Sequence, residues 1–250
     1  MSLFRNIVFT AVVAGLLSGL LLTAMQSFST VPLIMEAETF ESAGDPVAAG
    51  EGLSAEPSAP AALEAEEEAW MPADGAERLI YTAGANMLAG IGFGLVLLSL
   101  EEALGSIRGW RRGLLFGIAG FVTVSLAPGL GLPPELPGMP AAELGPRQVW
   151  WMATVVSTGV ALGLLVYTRS AGLAALAIVL LIAPHLVGAP LPVSHETAVP
   201  HELHARFVNA VYATNLVFWA VLGASAALLR ERFRSGEDVV VENSDRVAVR

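Results

Sequence analysis

Cysteine and lysine are both missing from this chain of 250 residues. Without cysteine there is no disulfide, no thiolate metal ligand and no cysteine nucleophile. The redox compartment therefore cannot be read from cysteine use. Without lysine there is no Walker A lysine and no Schiff-base amine, which excludes a conventional P-loop ATPase and imine chemistry by the chain itself. Charge of either sign is scarce: Asp, Glu, Lys and Arg make up 14% of the residues, where a soluble domain carries about 25%.

What fills the space is apolar. Hydrophobic residues make up 54% of the chain, and the mean hydropathy is +0.64. Six stretches, at 7–28, 79–100, 113–132, 148–168, 171–191 and 207–229, contain no Asp, Glu or Arg. A helix rises about 1.5 Å per residue, so about 20 apolar residues cross a hydrocarbon core of about 30 Å. The fold class expected is all-α: a polytopic membrane protein of six transmembrane helices. The first stretch is longer than a signal-peptide core and no good A-x-A cleavage site follows, so it is expected to stay as a helix. No stretch carries an acid, which leaves no carboxylate for a proton relay inside them.

The arginines orient the bundle. With the N-terminus cytoplasmic, Arg5, Arg108, Arg111, Arg112, Arg169, Arg230, Arg232, Arg234, Arg246 and Arg250 fall inside, against Arg78, Arg147 and Arg206 outside. That is a positive-inside bias, and six spans return the C-terminus to the cytoplasm. Residues 1–235 are expected to form one membrane domain, and 236–250 a cytoplasmic tail. The net charge of −10 and the lack of a basic outer patch argue against nucleic acid.

The first outer loop is rich in acids, and its middle, 42–68, has too few large apolar groups to order itself. It is expected to be a disordered linker, with a weak cation-attracting surface as the alternative. The segment 131–147 holds Pro133, Pro134, Pro137, Pro140 and Pro146, and is expected to be a rigid non-helical loop. Arg169 and Ser170 leave only a short turn between the fourth and fifth spans, which makes those spans antiparallel neighbours. Gly15/Gly19, Gly90/Gly94, Gly113/Gly117 and Gly159/Gly163 recur four apart, a spacing that lets helix backbones approach in lipid. Asn86, Asn209 and Asn215 fall inside spans, where amides more often join helices than line a path.

The remaining chemistry is imidazole and carboxylate. His185 follows Pro184 near the outer end of the fifth span, and a polar ring at that depth needs a partner. His195 and Glu196 lie in the next loop and read as solvated. His201, Glu202 and His204 precede the sixth span; with Pro200 opening the helix, the two histidines sit one turn apart on one face. Glu36 and Glu38 follow the first span at its outer end, and a solvated helix end is their plain alternative. Imidazole with carboxylate suits cobalt, nickel, zinc, copper(II) or iron. Imidazolium repels metal, so binding through these rings is expected to weaken below about pH 6.5. His201-Glu202-Leu203-His204 is one residue short of the H-E-x-x-H of zincins. Ser18 and Ser225 lack the surroundings of a serine protease, so no enzyme is expected and no resident cofactor.

Several long runs are distinctive. They are Val31-Pro-Leu-Ile-Met-Glu-Ala-Glu38, Glu68-Ala-Trp-Met-Pro-Ala-Asp-Gly-Ala-Glu-Arg78, Leu126-Ala-Pro-Gly-Leu-Gly-Leu-Pro-Pro-Glu-Leu-Pro-Gly-Met139, Arg147-Gln-Val-Trp-Trp151, Ala183-Pro-His-Leu-Val-Gly-Ala-Pro190 and Val199-Pro-His-Glu-Leu203. On these the chain resembles the CbtA family of predicted bacterial and archaeal cobalt transporter subunits, over nearly its whole length. The resemblance implies inward movement of cobalt and a small single-span partner of the CbtB type with a histidine-rich end. It touches Glu36, Glu38, Trp70, Glu135, His185 and Glu202. Such relatives hold a histidine-rich tract in the first outer loop, where 44–68 here has glutamates and no histidine.

The expectation is therefore uptake of a divalent metal, cobalt first and nickel or zinc next, across a cytoplasmic membrane. Its candidate metal ligands are His185, His201, His204, Glu36, Glu38 and Glu202. A non-transporting scaffold for a partner, or a permease for another solute, are the alternatives. The energy source is not legible.

Overall fold

A computed structural model describes residues 2–44, 72–105 and 109–248. Most of the expected acidic linker 42–68, and Trp70, lie outside the described residues. The elements are all helical: α1 (Ser2–Gly44), α2 (Ala76–Leu104), α3 (Trp110–Gly129), α4 (Leu144–Tyr167), α5 (Ala171–Val187) and α6 (His201–Ala248). Five are long and apolar enough to cross a membrane, and α5 is a shorter apolar helix of 17 residues. The all-α, six-helix architecture expected from the apolar stretches is the one observed.

The boundaries differ where packing or backbone geometry takes over. α1 runs past residue 28 to Gly44 because Leu33 and Ala37 are buried against Leu136, Leu203 and Phe207. α5 stops at Val187 rather than 191, because Gly188 adopts φ 85° and Pro190 follows. Helix α6 runs on through 236–248, within the segment expected as a cytoplasmic tail. α2 extends through Glu101 and Glu102 to Leu104. Helix α2 therefore carries a buried acid, Glu101, one residue beyond the acid-free stretch 79–100.

α3 is not uniform. Residues Val122–Leu126 form a π-helical turn in which the Ala127 N–H reaches back to the Val122 carbonyl. Pro128 follows at once and has no N–H to offer the preceding turn. Widening that turn is one way for the helix to continue through a proline, and such turns recur at functional sites. The proline-rich segment then runs without helix until Leu144, with Pro146 in the first turn of α4, where a missing N–H costs little.

α1 packs against α2 and α6, and α3 packs against α6, giving a four-helix core. The α4–α5 hairpin pairs with itself, as the short turn predicts, and meets the core chiefly through the π turn and the end of α3. Glycine makes the core seams possible. A Cβ on Gly15 would stand 2.4 Å from the Ile91 backbone nitrogen, and one on Gly223 would stand 2.3 Å from the Gly113 carbonyl oxygen. Such approach gains dispersion contacts that lipid tails cannot supply. Gly159 and Gly163 behave otherwise: the first meets only the Thr123 side chain, and the second nothing within 4 Å. At the centre, Leu98, Leu222, Ala11 and Ala14 are buried, and Phe93, Phe218 and Trp219 meet ring to ring.

Large apolar side chains stand exposed on every helix, among them Phe28, Leu88, Leu115, Val149, Leu186 and Leu216. In water such a surface would aggregate; in lipid it is the solvated one. The Asn86 amide donates to the Thr23 hydroxyl at 3.0 Å and the Gln26 carbonyl at 2.7 Å, joining α2 to α1 as expected of a span amide. Asn86→Ala is expected to lower stability by about 1 kcal/mol, read as a lower thermal midpoint in detergent; an unchanged midpoint would contradict the bonds.

Candidate functional site

At the proline-rich end of the bundle, a cleft of about 760 Å³ opens between α3, α4 and α6. The π turn contributes Ser125, the start of α4 contributes Arg147, Gln148 and Trp151, and α6 contributes Tyr212 and Asn215. Residues 144, 147, 148, 151 and 152 of α4 all line it, the spacing of one helix face. The Asn215 amide donates to the Val211 carbonyl of its own helix, so this asparagine lines the cleft instead of joining helices. The Tyr212 ring occupies space that a side chain at Gly129 would need, with its hydroxyl 2.3 Å from where a Cβ would stand.

Among the described residues, the cleft's charges are one pair. Arg147 Nη2 donates to Glu135 Oε2 at 2.9 Å, both side chains about a quarter exposed (28% and 26%). Glu135 comes from the proline-rich segment and Arg147 from the first turn of α4, so the pair closes that segment onto the helix. The residue types present are mixed: one carboxylate, one guanidinium, hydroxyls and amides, beside Trp151, Met152, Leu132 and Leu144.

The six expected ligands share this end of the bundle without converging. Among the described residues no three His, Cys, Asp or Glu side chains gather as a metal-holding group. His201 and Glu202 are exposed at the start of α6, while His204 turns inward. Its Nε2 lies 3.0 Å from the Pro134 carbonyl oxygen; a carbonyl only accepts, so this bond places the proton on Nε2. The two rings one turn apart thus have different surroundings. Glu36 is exposed, and Glu38 takes a salt bridge from Arg78 at 3.0 Å, which ties α1 to α2. Arg78 also holds Asp74 at 3.0 Å.

His185 has the partner that its depth demands, but the partner is aromatic. Its ring stands edge-on to Trp150, centroids 5.9 Å apart and planes at 72°. The Trp150 indole in turn donates to the Pro184 carbonyl at 3.1 Å, bracing α5 against α4 beside the proline. Neither His185 nor Trp150 is among the residues lining the cleft.

The arginine-rich end is closed differently. Glu101 is 2% exposed and Arg230 5%. Arg230 Nη1 lies 3.6 Å from Glu101 Oε2, and Nη2 pairs with Glu102, joining α2 to α6. Nearby, the Gly109 N–H donates to Glu231. Sequence reading missed Glu101 because it falls one residue beyond an apolar stretch. It also missed Ser125, Gln148 and Tyr212, for which the signal was Pro128 inside an apolar run and the Glu135 and Arg147 that flank the prolines.

No curated protein and no solved structure matches the chain. A family model does: residues 4–231 match that of a probable cobalt transporter subunit. The match over most of the chain's length, on helices long and apolar enough to cross a membrane, identifies the chain as a member of the CbtA family.

Proposed function

We propose that this chain is the membrane-embedded subunit that carries a divalent cation, cobalt first, inward across the cytoplasmic membrane of a bacterium or archaeon. The cleft carries this reading. It is an opening with polar groups among a largely apolar lining, in a bundle otherwise packed on glycine, and by the arginine bias it belongs to the outer end. His201, Glu202, Glu36 and Glu38 at the same end supply imidazole and carboxylate that attract a borderline cation, nickel and zinc included. His204 can add its Nδ1, and His185 stands against Trp150 on the same hairpin end. The family description as a subunit implies a further component. We take it to be a small single-span protein with a histidine-rich end.

The test is uptake of radioactive cobalt by cells that lack their own importer and produce this chain with and without such a partner. Accumulation above the empty-vector control is expected. Gln148→Trp, which fills the cleft from an exposed position, is expected to return uptake to the control level. If cobalt stays at that level with both proteins present in the membrane, transport is wrong and a scaffold role replaces it. Wild-type rates for His185→Ala would remove that ring from the path.

A further inference from the structure

The cleft is far larger than a bare ion needs, and its charges are of both signs. A naked divalent cation needs four to six donor atoms at about 2.0–2.2 Å. Among the described residues the cleft offers one carboxylate beside neutral hydroxyl and amide oxygens, and no cluster of three His, Cys, Asp or Glu side chains gathers to hold a bare borderline cation. Its volume of about 760 Å³ lies instead in the range of sites for small organic molecules. Trp151, Met152, Leu132 and Leu144 give a carbon skeleton something to lie against.

The Glu135–Arg147 pair sharpens the choice. A bare cation that takes Glu135 strips Arg147 of its partner and then faces a guanidinium. A plain anion does the reverse to Glu135. A ligand that carries both signs replaces both halves of the pair at once.

We propose that the cleft receives the metal as a complex with a small organic polycarboxylate. In that complex the metal, or a water bound to it, faces Glu135, and a free carboxylate of the chelator takes the Arg147 fork. Gln148, Ser125, Tyr212 and Asn215 hydrogen-bond the remaining oxygens. The chelator supplies the anionic donor atoms that the described residues of the cleft do not gather. This assignment rests on the transport reading and names the form in which its substrate arrives.

Equilibrium dialysis of the full chain in detergent tests it, with radioactive cobalt chloride alone, cobalt with citrate, and radioactive citrate alone. The complex is expected to bind about tenfold or more tighter than either component. Arg147→Gln is expected to weaken the complex by about tenfold, the size of one lost charge-assisted hydrogen bond, and to leave bare cobalt unchanged. Asn215→Ala, which leaves the ion pair intact, is a second variant with a smaller loss for the complex alone.

Bare cobalt binding as tightly as the complex, with no effect of Arg147→Gln, overturns the inference and leaves transport standing. Citrate alone binding as tightly as the complex overturns it too, and makes the cleft an anion site. Binding of none of the three overturns it while the cellular uptake assay still judges transport on its own.

Discussion

Arg230→Ala is expected to cost about 3–5 kcal/mol of folding stability, among the largest losses from any single side chain here. Glu101 is 2% exposed and faces Arg230 across the α2–α6 seam, so removing the cation takes a counter-charge from a buried carboxylate. Glu102 fares better, because its side chain is 40% exposed and water can take over. The asymmetry gives the prediction its control. Glu101→Gln combined with Arg230→Met should regain most of the loss, because replacing both charges by groups of similar shape removes the desolvation cost along with the attraction. Glu102→Gln combined with Arg230→Met should regain little. Thermal midpoints and monodispersity in detergent would check the series. If Arg230→Ala melts with the parent, the pair is not buried as described.

Gly223→Leu is expected to part α3 from α6 and to cost about 3 kcal/mol or more, at the upper end of overpacking losses. A Cβ at Gly223 would lie 2.3 Å from the Gly113 carbonyl oxygen and 2.8 Å from the Gly117 Cα, and backbone cannot swing aside as a side chain can. Even alanine forces a shift. Gly113→Ala meets the Gly223 carbonyl at 2.5 Å from the other side of the same seam. Once one alanine has moved the helices apart, the second costs less, so the two losses should fall short of additive. Gly163→Ala is the contrast. Nothing lies within 4 Å of its Cβ position, so it should hold or raise stability by up to about 1 kcal/mol. Strict additivity at Gly113 and Gly223 would mean that the seam is looser than described.

The spans were legible because hydrophobic length is a strong signal, and the four-helix core was half legible through its glycines. Gly15, Gly90, Gly113 and Gly117 do sit at close helix contacts, whereas Gly159 and Gly163 have the same spacing on a helix face that meets no backbone. Spacing alone cannot tell which face turns inward. The site was harder to read. Histidine and glutamate drew attention as the usual metal ligands, yet the cleft is lined by serine, glutamine, tyrosine and asparagine, types that look ordinary in any membrane helix. Glu135 and Arg147 are twelve residues apart with prolines between them, and only the folded loop reveals that they are partners. Glu101 escaped because an acid at the edge of an apolar run reads as interfacial, whereas helix extension and Arg230 bury it.

The attachment of α4 and α5 to the rest of the molecule has a mechanical consequence. These helices touch the core mainly at the π turn and the end of α3, and their outward faces expose apolar side chains such as Val149, Val156, Ile178 and Leu186, which suit acyl chains. Acyl chains are as apolar as leucine, so sliding this arm along the frame trades one greasy neighbour for another at small net cost. The frame, locked at backbone distance, has no such latitude. The width of the opening is thereby decoupled from the integrity of the bundle.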